Sequence, residues 1–159
     1  MASPQPVETT VTGGPRLTMF DLGLACCAVE FVAAAVEPGA FADLGAAVPS
    51  LADANVLVVS GTVTDVSAPA VVAAYERLSE PRYVVSFGAC ANTGGPYWYS
   101  YSVTKGIDQL LPVDVYISGC PPRPEALIDG LMRLQASIDK EPALLIGMPK
   151  QPSAAGDAL

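Results

Sequence analysis

Four cysteines are the residues of this chain best suited to chemistry. Cys26 and Cys27 are adjacent within "GLACCAVE", and Cys90 and Cys120 stand alone in "GACANTGG" and "SGCPPRPE". There is no histidine. Its absence removes Ser-His-Asp and Cys-His catalysis, His-ligated haem, Rieske ligation and the usual catalytic zinc sets. What remains is thiolate ligation, which selects zinc or iron–sulfur. A disulfide between Cys26 and Cys27 is disfavoured, because adjacent Cα atoms sit about 3.8 Å apart and disulfides prefer roughly 4.4–6.8 Å. Structural zinc sites usually draw on cysteine pairs with two to four residues between them, and successive side chains diverge, so a tandem pair suits one small ion badly. It suits a larger body better, with each sulfur reaching a different iron. A cubane [4Fe–4S] cluster takes four thiolates, and the chain supplies four with none to spare. Zinc remains the alternative, and four inert buried thiols are the plainest reading of all.

Four sulfurs serve one centre only if the fold gathers them. Near-continuous apolar runs at 55–62, 82–89 and 113–119 read as parallel strands buried on both faces, with a further candidate at 16–23. Helical segments are expected at 25–36, at 67–79 with Ser67 as a candidate N-cap, and at 122–140 with Leu127, Leu131, Leu134 and Ile138 at helical spacing. Thr62 or Thr64 is a further capping candidate. Strands alternating with helices imply βαβ units and an open parallel α/β sheet. Each cysteine then falls just past the carboxyl end of a strand, the edge where such sheets bind ligands. Gly88 and Gly119 allow close backbone approach there. Pro121 and Pro122 fix the direction of the chain after Cys120 and withhold two N–H donors.

Composition narrows the partners. The 159 residues suggest one domain, and 51% apolar content suffices for a sizeable core. Three parts are expected: a flexible arm over 1–15, an α/β domain over 16–141 and a tail over 142–159. A net charge of −8 argues against nucleic acid, and the lack of Lys or Arg from Leu17 to Glu76 argues against anionic lipid there. The longest apolar stretch, Leu22 to Val36, contains Glu30 and is too short to span a bilayer. No secretory signal is read at the start, so a cytoplasmic setting is expected, in which four thiols serve a metal or chemistry rather than disulfides.

The segments "GLACCAVE", "VVSGTVT", "GACANTGG", "SYSV" and "PVDVYISGCPPRPEAL" together resemble the B-type subunits of NADH:quinone oxidoreductase, respiratory complex I, from about Leu17 to Ile138. That family is related to the small subunits of nickel–iron hydrogenases, which typically carry CxxC where this chain has CC. The resemblance implies a flavodoxin-like sheet with helices on both faces. It implies that Cys26, Cys27, Cys90 and Cys120 ligate one terminal [4Fe–4S] cluster passing electrons to quinone, coupled to proton translocation. It implies a peripheral place on the cytoplasmic side of the cell membrane, wedged between D-type and membrane H-type subunits, with an I-type subunit relaying electrons inward. A hydrogenase-related or ferredoxin-fed complex, and a scaffold subunit without electron transfer, are the alternatives. Glu30 matches an acidic residue that follows the tandem pair, and its apolar neighbours allow a proton-linked role.

The family's basic, Arg-Phe-Gly-bearing loop near the quinone entrance is replaced here by a stretch with Glu37, Asp43 and Asp53. The segment 37–53 is therefore expected to lack those basic contacts, and to pack on a modified neighbour or stay mobile. "GGPYWYSYSV" gathers Tyr97, Trp98, Tyr99 and Tyr101 beside Cys90, which reads as an interface or a lining of the quinone path.

Overall fold

The computed structural model of the chain describes residues 16–140. The expected arm over 1–15 and tail over 142–159 lie outside the described residues. In chain order the elements are β1 (Leu17–Asp21), α1 (Cys27–Val36), β2 (Gly45–Ala47), β3 (Val56–Ser60), α2 (Ala68–Glu76), β4 (Tyr83–Phe87), α3 (Ala89–Thr93), β5 (Val115–Ile117) and α4 (Pro124–Lys140). The five strands form one sheet in the order β2-β1-β3-β4-β5, and every pairing is parallel. This is the flavodoxin-like order, whose switch point lies between β1 and β3.

The central strands exist because their residues have no exposed face to occupy. All five residues of β3, VLVVS, and all five of β4, YVVSF, are buried. Alternation divides them between two cores. Val56, Val58, Val85 and Phe87 pack with Phe31 and Ala34 of α1 and with Leu127, Leu131, Leu134 and Ile138 of α4. Leu57, Val59 and Val84 pack on the opposite face with Val71 and Ala74 of α2 and Ala91 of α3. Helices thus cover both faces, as the alternating pattern requires.

Two differences from the sequence reading affect the site. First, the segment expected as a loop over 37–53 carries an edge strand. Phe41 and Leu44 are buried in the core, and backbone bonds from Leu17 N–H to the Leu44 carbonyl (3.1 Å) and from Val48 N–H to the Met19 carbonyl (2.9 Å) flank β2. Glu37, Asp43 and Asp53 remain exposed on this segment, which packs on its own sheet. Second, α2 is capped from Thr64, one of the expected candidates. Ala68 N–H donates to the Thr64 carbonyl (2.8 Å), and the Thr64 N–H donates to Ser67 Oγ (2.9 Å). The Ser67 side chain makes no capping bond to the helix itself.

Candidate metal centre

The site is assembled from three strand exits. The loop after β1 is fastened to the end of β3: Leu24 N–H and Ala25 N–H both donate to the Ser60 carbonyl, at 2.9 and 3.2 Å. That loop delivers Cys26 as the residue capping α1 and Cys27 as its first helical residue. The exits of β4 and β5 are fastened to each other: Gly88 N–H donates to the Ile117 carbonyl (2.9 Å) and Ala89 N–H to the Gly119 carbonyl (2.8 Å). They deliver Cys90, within α3, and Cys120. The Cys120–Pro121 peptide is cis, and Pro122 is buried.

The tandem pair and the β4 exit meet at Gly88. A Cβ on this residue would overlap the sulfur of Cys27 and lie 3.5 Å from Pro122 Cδ and 3.6 Å from the Gly119 carbonyl oxygen. Three loops, far apart in sequence, therefore touch one point at the switch-point edge. Gly88 also has φ +96°, a conformation that side chains disfavour. The Gly119 neighbourhood is equally tight, since a Cβ there would fall within 2.5 Å of Pro122 Cα.

All four cysteines are free. Cys27 and Cys90 are buried, at 3% and 7% exposure, whereas Cys26 and Cys120 are exposed, so the group has a closed floor and an open rim. Burial, together with the neighbouring Cys26, Cys90 and Cys120 thiols, pushes the Cys27 thiol up to about 12. A second thiolate beside the first is repelled unless a cationic body compensates it, and a bound metal deprotonates its thiols for that reason. Among the described residues, no three His, Cys, Asp or Glu side chains are gathered tightly enough to hold a single metal ion. A zinc ion at about 2.3 Å from each sulfur would draw the four thiols close together. Four sulfur donors without histidine are the donor chemistry that an iron–sulfur cluster takes.

Each of the four cysteines named from the sequence follows the exit of a strand, Cys26 and Cys27 after β1, Cys90 after β4 and Cys120 after β5. Glu30 stands half-buried in the first turn of α1, where the helix dipole favours a carboxylate. The aromatic segment is largely on the surface: Tyr99 and Tyr101 are 92% and 97% exposed. Trp98 meets Tyr99 edge-on at 5.2 Å, and Lys105 Nζ lies 5.5 Å from the Trp98 ring centroid while donating to the Trp98 and Ser100 carbonyls.

Two polar pairs beneath the site escaped the sequence reading. Ser60 Oγ donates to Asp21 Oδ1, joining β3 to the end of β1; burial pushes the Asp21 carboxyl above its ordinary value, against the lowering effect of the Ser60 and Gly23 hydrogen bonds. Ser86 Oγ donates to Asn92 Oδ1 at 2.5 Å. The available signal was a serine in each of two otherwise apolar strands.

Known proteins share both sequence and fold with this chain. It is 54% identical over 143 residues to a B-type subunit of NADH-quinone oxidoreductase, the one numbered 2, of Streptomyces griseus subsp. griseus, with 87% of this chain and 61% of that protein covered. It is 51% identical over 159 aligned residues to the corresponding B-type subunit, numbered 1, of Salinispora tropica, with 97% of this chain and 84% of that protein covered. The chain thus spans less than two thirds of the first relative's length. Among solved structures, a chain of the membrane-bound sulfane sulfur reductase, an archaeal respiratory membrane complex, superposes with TM-score 0.73 at 31% identity, covering 79% of this chain and 72% of that one. A chain of the NAD+-reducing [NiFe]-hydrogenase shares the fold, with TM-score 0.56 at 20% identity, covering 86% of this chain and 93% of that one. The family model of the NADH ubiquinone oxidoreductase 20 kDa subunit matches residues 19–134, a span that contains all four cysteines, and the chain belongs to that family.

Proposed function

We propose that this protein is a peripheral electron-transfer subunit of a membrane-bound NADH:quinone oxidoreductase, and that Cys26, Cys27, Cys90 and Cys120 hold one [4Fe–4S] cluster. The observation that carries the reading is the meeting of three strand exits at Gly88, with Cys27 under the influence of the other three thiols. When bound, the cluster supplies a one-electron carrier. The chain's own part is to hold the four thiolates in fixed places, with Cys27 and Cys90 buried against the sheet and Cys26 and Cys120 at the open rim.

The open rim needs a cover, since an exposed cluster is vulnerable to water and oxidant. The exposed aromatics Tyr97, Trp98, Tyr99 and Tyr101 follow Cys90 in sequence and have the composition of an interface core. A D-type subunit over the rim, an I-type subunit relaying electrons inward and a membrane H-type subunit supplying attachment suit this surface, with quinone nearby. Among the described residues no helix is long and apolar enough to cross a membrane, so attachment on the cytoplasmic side through such partners is part of the same reading. Electron passage to quinone is coupled, in this reading, to proton translocation by the whole complex.

A second reading has its own support. The likeness to the sulfane sulfur reductase chain and the acidic surface of segment 37–53 favour a divergent, hydrogenase-related or ferredoxin-fed complex. Native affinity purification of the tagged chain from host membranes, with mass spectrometry of its partners and assays of quinone reduction by NADH or reduced ferredoxin, separates the two. NADH-dependent quinone reduction by the purified assembly is the expected result. Activity with ferredoxin alone assigns the second reading, and a chain without iron in an active assembly leaves only a scaffold role.

A further inference from the structure

Ser86 is fully buried as the penultimate residue of β4, in a strand otherwise made of aromatic and aliphatic residues. Its hydroxyl donates to Asn92 Oδ1 at 2.5 Å. Asn92 lies in α3, two residues after Cys90. Its amide Nδ2 donates at 3.1 Å to the carbonyl of Ile117, the last residue of β5 and three residues before Cys120. The same carbonyl receives the Gly88 N–H at 2.9 Å, so both its lone pairs are engaged by the β4–α3 segment. Asn92 N–H returns to the Gly88 carbonyl at 3.0 Å, and Ala89 N–H reaches the Gly119 carbonyl at 2.8 Å. One side chain therefore grips the interior of β4 with its oxygen and the exit of β5 with its nitrogen, from a position on the short helix that carries Cys90.

We propose that Asn92 is a positioning residue that locks the Cys90 helix and the Cys120 turn into one rigid clamp, fixing the separation of the two lone thiols. The inference rests on the proposed cluster only for what the two thiols hold; the clamp belongs to the chain itself. The five residues of α3 are too few for a stable helix by themselves, so a side-chain tie at each end is what gives Cys90 a defined place. An asparagine is required because the two partners are of opposite kind: a hydroxyl that donates and a carbonyl that accepts. Aspartate would keep the first bond and lose the second. Alanine would lose both.

The test is hydrogen exchange in the metal-free full chain, read at the Gly88 and Ala89 amides, with Val58 and Val85 as core references. Asn92→Asp is expected to accelerate exchange at Gly88 and Ala89 about three- to tenfold, the loss of one ordinary hydrogen bond, and Asn92→Ala, which loses both, at least as much, while the core references keep their protection. Ser86→Ala is expected to give a smaller acceleration at the same two amides. After anaerobic reconstitution with iron and sulfide, Asn92→Asp is expected to retain iron but show shifted paramagnetic resonance g values or ready loss of one iron. Unchanged exchange at Gly88 and Ala89 in both Asn92 variants overturns the clamp. So does equal loss of protection at Val58 and Val85 in all three clamp variants, which would make the residues merely structural. A wild-type chain that takes up no iron refutes the cluster while leaving the exchange result to stand or fall separately.

Discussion

Alanine at position 88 would press on the one point where the three loops meet, and its cost can be worked from two separate features. Gly88 has φ +96° and ψ 163°, a region occupied almost only by glycine, where another residue costs about 1–3 kcal/mol. The added methyl would also overlap Cys27 Sγ, with Pro122 Cδ at 3.5 Å preventing a simple sidestep. Overpacking of this kind costs typically about 1–3 kcal/mol. The sum is about 2–6 kcal/mol, a large share of the ~5–15 kcal/mol that keeps a domain folded. Urea unfolding of the metal-free chain, followed by circular dichroism, measures it. The double variant Gly88→Ala with Cys27→Ala separates the two parts, because removing the sulfur relieves the overlap and leaves the backbone strain. A coupling of about 1–3 kcal/mol between the two positions is expected. A coupling of zero, or a Gly88→Ala chain as stable as the parent, would show that Cys27 is not seated over Gly88, and the convergence would fail with it.

Three further outcomes follow from the same geometry. Cys90→Ser and Cys120→Ser should abolish the native paramagnetic resonance signal of the reduced cluster, whereas Cys26→Ser and Cys27→Ser should act unequally, since Cys27 is buried and Cys26 exposed; equal, unaltered signals in all four would refute the ligand set. The raised Asp21 carboxyl means that the folded chain holds its proton more tightly than the unfolded chain, so its stabilising contribution is present below the ordinary value of 3.8 and is lost as pH rises through the folded value. Asp21→Asn should therefore gain stability over the parent near neutral pH, and the gain should shrink as pH falls through the folded value and level off below 3.8, as urea melts at several pH values would show. Asp43→Arg, on the exposed side of segment 37–53, should change the chain's own stability by no more than about 0.5 kcal/mol yet weaken recovery of partner subunits, if a basic surface receives this segment.

The sequence makes some of this legible because strand exits and apolar runs are local signals. β3 and β4 are rich in valine and have no polar face, so their ends, and hence the place of Cys90 after β4, can be read directly. β2 could not be read, because Gly45, Ala46 and Ala47 have no strand preference of their own. It forms because the buried Phe41 and Leu44 bring the backbone beside β1, which is a tertiary cause. The short helix α3 was hidden for a similar reason: Ala89 read as the end of a strand, although the chain turns at Gly88. Which thiols are buried also escaped the sequence. Cys26 and Cys27 differ only by one step at the start of α1, and that step turns one sulfur to the core and the other to solvent. The side-chain tie at Asn92 depends on Ser86 and Ile117, 6 and 25 residues away, a distance over which spacing alone carries no signal.

Iron and acid-labile sulfide, measured together on the anaerobically isolated full chain, test the central claim most directly. A chain that holds the proposed cluster carries about four irons and about four sulfides, with a paramagnetic resonance signal on reduction that disappears in Cys90→Ser. A colourless chain carrying zinc in place of iron, or iron retained in full after Cys90→Ser, would contradict it.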